Sequence, residues 1–431
     1  MFKTLLPFYA VSFCVAALMT SAGSLVATLL PFLGWTQETF GLALSWQSLG
    51  AVLGGIMIAR FATLRNVPVF FVSSVVASVV GYACVFSLPA LLGYASQVVA
   101  LFGFLLAGVA GCGFLVSATT RIFDGGGGPR DFAILQIFFA GGLMSGPLLA
   151  SLLSSSRVNG ADVTPLHFPS VFVFMAIEIA AILYYISFVP RRESDRRRDL
   201  TGREQPAASQ EGLVTHSAEC SKASRSFKEK ISHLTPMALA SLGILSFLGV
   251  EVCLFGFGPM WAADVLGFSQ AAGGLLSSAI GVGYLTSRII AINVKAVALG
   301  NIPKILTFSI FMGLAVGMLI YLMAANGVRD ETLYQSLFFL LGLVLGNDFT
   351  WTVVSMSGFY SGEDATRQSN KVSSHAFLGV TILPIITGQI VARFGMSAIP
   401  ATMAAVLCLS GLSYGLLAAY GKRKCRQALV Q

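Results

Sequence analysis

Three carboxylates stand where carboxylates are costly: Glu178, Glu251 and Asp348 each fall inside a long, mostly apolar stretch. Placing a carboxylate at the middle of a bilayer costs about 2.5–3.5 kcal/mol on insertion scales, so each needs a partner, a water-filled cavity or a bound proton. A group that takes up a proton on one side of a membrane and gives it up on the other is what a proton gradient needs in order to drive anything. Other chemistries find little support. The four His (His167, His216, His233 and His375) form no ligand pair, HExxH is absent, and the seven Cys contain no CxxC pair. The run Asp124-Gly-Gly-Gly-Gly-Pro129 lacks the Lys-Ser/Thr of a phosphate-binding loop and reads as a turn. The chain is therefore read as non-enzymatic, with no metal and no cofactor.

The elements that carry these acids are set by composition. Of 431 residues 55% are hydrophobic and 11% charged, with a mean hydropathy of +0.80. A soluble domain carries roughly a quarter charged residues, so the solvent here is lipid. A membrane-crossing helix needs about 20 predominantly apolar residues. Twelve such stretches are expected at 5–31, 38–59, 68–89, 97–119, 132–153, 169–189, 237–262, 270–291, 303–325, 333–357, 372–392 and 397–420. The first, preceded only by Lys3, is too long for a signal-peptide core and is read as a retained span.

If the N-terminus is cytoplasmic, alternation of the spans leaves only Arg157, Arg329 and Arg393 of the 27 Lys and Arg outside. That is the positive-inside pattern, and it accounts for the pI of about 9.2 without a nucleic-acid partner. A multi-pass protein of the plasma (inner) membrane, with both termini cytoplasmic, is expected. Residues 191–236 are polar and mixed in charge, and they divide the chain into an N-terminal bundle (1–190), a cytoplasmic linker, and a C-terminal bundle (237–431) with a short basic tail. The basic stretch Arg191 to Arg198 suits contact with anionic lipid headgroups.

The halves echo each other. Gly55 precedes Arg60 by the spacing with which Gly283 precedes Arg288, and Gly142 precedes Pro147 as Gly379 precedes Pro384. Matches at equivalent helices suggest an internal repeat, a feature of carriers that rock one bundle against another.

With these residues in view the chain resembles the major facilitator superfamily over nearly its whole length. GGIMIARFATLRN (54–66) looks like that family's loop motif through Gly55, Arg60 and Arg65, with Ala59 where the family has aspartate and Ala62 where it has glycine. GGLMSGPLLA (141–150) is similar to its antiporter pattern through Gly142, Gly146 and Pro147. GVEVCLFGFGPMW (249–261) followed by GVGYLTSR (281–288) looks like the fucose and sugar proton-symporter branch, although the first and fourth spans lack that branch's carboxylates.

The resemblance implies an all-α fold of two pseudo-symmetric six-helix bundles, with spans one, four, seven and ten lining a central cavity. That ranks Glu251 and Asp348 as proton-coupling groups above Glu178. At 1.5 Å per residue the first two lie about 21 Å and about 14 Å from the cytoplasmic edge, near the middle of a ~30 Å core. Asn347 and Trp351, beside Asp348, with Gln136, Gln389, Trp46 and Gln47, are the candidate substrate-binding residues. Arg60, Arg288, Gly142, Gly146 and Pro147 are the candidate gating residues. The expected activity is proton-coupled uptake of a small polar solute, a sugar or an organic acid, by alternating access, in a monomer that meets only solute, protons and lipid. The alternatives are a proton-driven efflux antiporter and a transport-inactive sensor or scaffold.

Overall fold

A backbone surrounded by hydrocarbon must pair its N–H and C=O groups internally, and a helix does so within one segment. The computed structural model describes residues 2–61, 66–89, 96–123, 129–153, 168–202, 227–293, 301–360 and 362–430. Among these residues twelve helices are long and apolar enough to cross a membrane: Thr4–Ser24, Gln37–Met57, Val67–Phe86, Gln97–Ile122, Arg130–Leu153, Pro169–Phe188, Thr235–Leu266, Gln270–Ile292, Ile302–Ala325, Glu331–Gly358, Lys371–Phe394 and Met396–Lys422. They are spans one to twelve below. The short connections after spans one, seven, nine and eleven each contain a left-handed glycine, Gly34, Gly267, Gly327 and Gly395. At Gly267 (φ 73°) the turn is closed by Gly267 N–H to the Ala263 carbonyl and Phe268 N–H to the Ala262 carbonyl, both 3.1 Å. A side chain there would be strained, so glycine ends the helix. All four turns lie on one face of the bundle, the glycine-capped face; the long polar connection between spans six and seven lies on the other, the linker face.

Several expected boundaries change. Span one is not continuous to residue 31: one helix runs Phe2–Ser24, Leu25 turns with ψ near 0°, and a second runs Val26–Leu33. Just before the turn the Ser21 hydroxyl donates to the Ala17 carbonyl (2.7 Å) and the Thr20 hydroxyl to the Ala16 carbonyl (3.0 Å), back-bonding that bends helices. Span ten breaks as well, into Glu331–Leu345 and Asp348–Ser355. The helices of spans six and seven run past the membrane into the expected linker, as Pro169–Gly202 and Phe227–Leu266, since a helix entering water keeps its own backbone bonds. Of the linker, residues 203–226 lie outside the described residues.

The packing obeys the repeat. Cβ atoms built on Gly142 and Gly379 would run into the Phe13 and Leu245 carbonyls, so span five lies against span one as span eleven lies against span seven. Gly54 and Gly55 seat span two against Val109 and Cys112 of span four, and Gly283 seats span eight against the Phe339 carbonyl of span ten. The halves meet through two further pairs that the repeat exchanges: Gly281 against Met144 (spans eight and five) and Gly41 against the Pro384 carbonyl (spans two and eleven). Small residues allow such approach where lipid offers no hydrophobic drive.

This defines what Gly142 and Gly146 do in the structure. A Cβ on Gly146 would overlap the Ala17 carbonyl and come within 2.7 Å of Thr20 Oγ1. Gly146→Val is expected to push spans one and five apart at a cost of about 1–3 kcal/mol, seen as a fall of several degrees in thermal unfolding of the detergent-purified protein.

Candidate functional site

Glu251 stands at the midpoint of span seven, half-buried. Span eight passes beside it and brings two residues one helical turn apart, Tyr284 and Arg288, within electrostatic range of its carboxylate. Phe255, one turn along span seven from Glu251, meets the Tyr284 ring edge-on at 6.0 Å, which fixes the two helix faces toward each other. The Tyr284 hydroxyl is buried and closes no hydrogen bond of good geometry.

Arg288 is 7% exposed, and its guanidinium is held by two backbone carbonyls. Nε donates to Gly346 O of span ten (3.2 Å), and Nη1 donates to Gln136 O of span five (2.8 Å). The guanidinium also lies 5.8 Å from the centre of the Phe139 ring. Gln136 belongs to the N-terminal half and Gly346 to the C-terminal half, so one cation ties the halves together next to Glu251.

The Gly346 carbonyl is available because span ten is broken there. Asn347, at the break, donates through Nδ2 to the Ser287 carbonyl (2.8 Å) and hydroxyl (2.7 Å). Gly346 must be small, since a Cβ would come within 2.8 Å of both Ser287 and Tyr284. Asp348 opens the second half-helix and is 1% exposed. Its two carboxylate oxygens lie 2.8 and 3.0 Å from the Ser309 hydroxyl of span nine, whose one proton they share with the Val344 carbonyl at 2.7 Å. A turn later Thr352 bonds Tyr414 of span twelve (2.8 Å). Asp348 thus faces spans nine and twelve, while remaining close enough to Glu251 and Tyr284 for their charges to interact.

The structure therefore brings together Glu251, Arg288, Asn347, Asp348 and the backbone of Gln136. It does not gather the rest. Gln47 donates to the Tyr82 hydroxyl (3.2 Å) inside the N-terminal half, and Trp46 is 37% exposed. Gln389 is exposed beside Gly388, which lies against Glu38 at the glycine-capped end of span two. Trp351 is half-buried in the second half-helix of span ten. Arg60 is exposed at the end of its helix, and Pro147 lies between spans five and eight, its carbonyl near Gly274. Glu178 is fully buried, with one oxygen accepting from Ser78 (3.1 Å) and the other unpartnered.

Residues that the sequence reading did not single out complete the picture. Tyr284 shares a face with Arg288 by its four-residue spacing, a usable signal; Ser287 and Ser309 carried none. A second polar cluster closes the halves near the glycine-capped face. Gln270 Nε2 donates to the Ser24 carbonyl freed by the turn in span one (3.0 Å) and to Thr28 Oγ1 (3.3 Å), and Phe40 meets Phe257 edge-on at 5.9 Å.

Twelve helices long and apolar enough to cross a membrane, in two matched halves bridged by a buried arginine, fit the architecture of a membrane transporter. The Major Facilitator Superfamily model matches residues 8–347, and the chain belongs to that family. Its transported substrate is accordingly a small molecule. No curated protein matches the sequence. Among solved structures the chain is similar to a bacterial homologue of the human lysosomal transporter Spinster in an inward-facing and occupied conformation, at 13% identity and a TM-score of 0.60 over 98% of this chain and 96% of that one. The same homologue in its unoccupied conformation matches at 13% identity and a TM-score of 0.60, over 97% of each chain. The nucleoside transporter NupG, in a variant form, matches at 14% identity and a TM-score of 0.62 over 96% of this chain and 99% of that one. At these identities the likeness is one of fold.

Proposed function

We propose that the chain is a proton-coupled carrier that takes up a small polar solute, of the sugar or organic acid class, by alternating access. The observation that carries this reading is Arg288, which bridges the two halves through Gln136 and Gly346 with Glu251 as its acidic neighbour. Rocking one half on the other has to break the bond to Gln136. A proton arriving on Glu251 removes the negative charge beside the guanidinium, and a polar or anionic solute entering between the halves supplies a replacement acceptor for it. Asp348, held by Ser309, serves in this reading as the second acid of the same electrostatic group, with Asn347 holding the break of span ten in register. Reconstitution in vesicles of known orientation, with an imposed pH gradient and a panel of labelled sugars and organic acids, tests it. Accumulation of label driven by the gradient supports uptake, expulsion of preloaded label marks efflux antiport, and no movement of any solute with or without a gradient removes the carrier reading.

The linker face is cytoplasmic in this proposal, in the plasma (inner) membrane, because the Arg and Lys of the linker and the basic tail lie there. Trypsin is expected to cut between spans six and seven, at sites such as Arg203 or Lys222, in inside-out vesicles and not in right-side-out ones. Two membrane-embedded fragments should result. Cleavage only in right-side-out vesicles reverses the topology.

A further inference from the structure

A transported solute must offer something to Arg288 and Glu251, and the bonds already made around them narrow what that is. A guanidinium has five N–H donors. In Arg288 one on Nε and one on Nη1 go to the Gly346 and Gln136 carbonyls. Nη2 bonds nothing among the described residues and keeps accessible surface, in a side chain otherwise buried. The same holds for the side-chain amide of Gln136, whose backbone carbonyl is the one that Arg288 grips. Glu251 is half-buried at the midpoint of span seven, and its charge reaches Arg288 although the guanidinium's bonds go to the two carbonyls. Arg288 and Gln136 belong to opposite halves, so the three groups border the junction between the halves.

A sugar is held by several neutral donors and acceptors, and those of the nearby spans are engaged elsewhere. Asn347 Nδ2 is used on Ser287, Thr352 on Tyr414, Ser309 on Asp348 and Val344, and Gln47 on Tyr82. What remains beside Glu251 is one cation with unused donors and one amide. A guanidinium N–H bonds an ionised oxygen far more strongly than a neutral one, and the Phe139 ring, 5.8 Å from the guanidinium, gives that bond an apolar wall. Among the described residues Arg288 is the one cation whose charge reaches Glu251; the other ionisable groups within range are Tyr284 of span eight and Asp348 of span ten. One free cation suits one carboxylate. A second would face Glu251 and Asp348 with no partner.

Resting on the proton-coupled carrier reading above, we propose that the transported solute is a monocarboxylate. Its carboxylate accepts from Arg288 Nη2–H and the Gln136 amide, and it crosses with the proton of Glu251, so that no net charge moves. Binding to the purified full-length protein is measured by calorimetry for acetate, lactate, benzoate and glucuronate, each beside its primary amide, and for glucose and galactose. At least one acid is expected to bind about tenfold or more tightly than its amide, the weight of one charge-assisted hydrogen bond, and the sugars no better than the amides. Gln136→Glu keeps the backbone carbonyl on Arg288 and sets a carboxylate of the protein's own where the solute's would lie. It should fold, and weaken binding of that acid by at least about tenfold. In vesicles under a fixed pH gradient, uptake of the acid should change by less than about twofold between inside-negative and inside-positive potassium diffusion potentials, whereas a sugar moving with a proton would be driven by the inside-negative one. Acids that all bind no tighter than their amides overturn the proposal, as does full binding by Gln136→Glu or acid uptake that follows the potential. Gradient-driven movement of a sugar and of none of the acids overturns it while the carrier reading stands; movement of no solute removes both.

Discussion

Glu251→Gln is expected to lower pH-gradient-driven accumulation of solute by at least about tenfold while leaving solute binding and counterflow exchange within about twofold, the pattern of a lost coupling step rather than a lost binding site. The substitution keeps the size and hydrogen-bonding capacity of the side chain and removes its ability to exchange a proton. Asp348→Asn is the comparison. Both Asp348 oxygens lie within hydrogen-bond distance of the single Ser309 hydroxyl, so an amide there can still accept through its one oxygen, and accumulation should persist at a reduced rate. Transport by both variants is followed in the same vesicles across a range of imposed gradients. Full gradient-driven accumulation by Glu251→Gln places coupling elsewhere, and His375 is then the next group to change; its Nδ1 is paired with Ser241 at 2.8 Å.

Arg288→Ala should be more damaging to the fold. Hydrogen bonds to a charged donor are worth about 1.5–3 kcal/mol each, and this change strips the donor from Gly346 O and Gln136 O together. Loss of about 3 kcal/mol or more should appear as poor yield of folded protein and a markedly lower unfolding temperature. Arg288→Lys keeps the charge but offers a single nitrogen in place of the planar fork, so it is expected to recover folding in part and transport hardly at all. The pair Glu251→Gln with Arg288→Lys supplies a double-mutant cycle. Transport effects that simply multiply would mean that the two residues act independently.

The sequence made the span count legible for a plain reason: hydropathy over some twenty residues reports burial in lipid directly, and twelve spans are present. The breaks were not legible. The usual breaking signal, proline, occurs inside intact helices at Pro147, Pro259 and Pro384, while span ten breaks at Gly346-Asn347 with no proline at all. What holds that break open lies in another helix, Ser287 and Arg288 of span eight, and no local pattern encodes it. Glu251 stood out because a charge in an apolar stretch is conspicuous, and Arg288 because its spacing from Gly283 repeats that of Arg60 from Gly55. The partners of Arg288 did not, because they are carbonyls, which every residue has. Helical phase explains the remaining misses. A period of 3.6 residues cannot say which way a lone Gln points in a helix apolar on all sides, and Gln47 points to Tyr82 in its own half.

Span ten has a joint. Its upper part, Glu331–Leu345, is seated on span eight where Gly283 meets the Phe339 carbonyl and Gly342 meets the Ile280 carbonyl. The lower part, Asp348–Ser355, is tied instead to span nine through Ser309 and to span twelve through Tyr414. A continuous helix would have to tilt as a rod, disturbing its packing along the whole length of the membrane. A jointed one can swing its lower arm with spans nine and twelve while the upper arm stays clamped, with the Arg288 guanidinium at the elbow. In the alternating-access cycle proposed above, an opening on the linker face would widen by bending one cantilever at two residues, leaving the opposite end of the protein still.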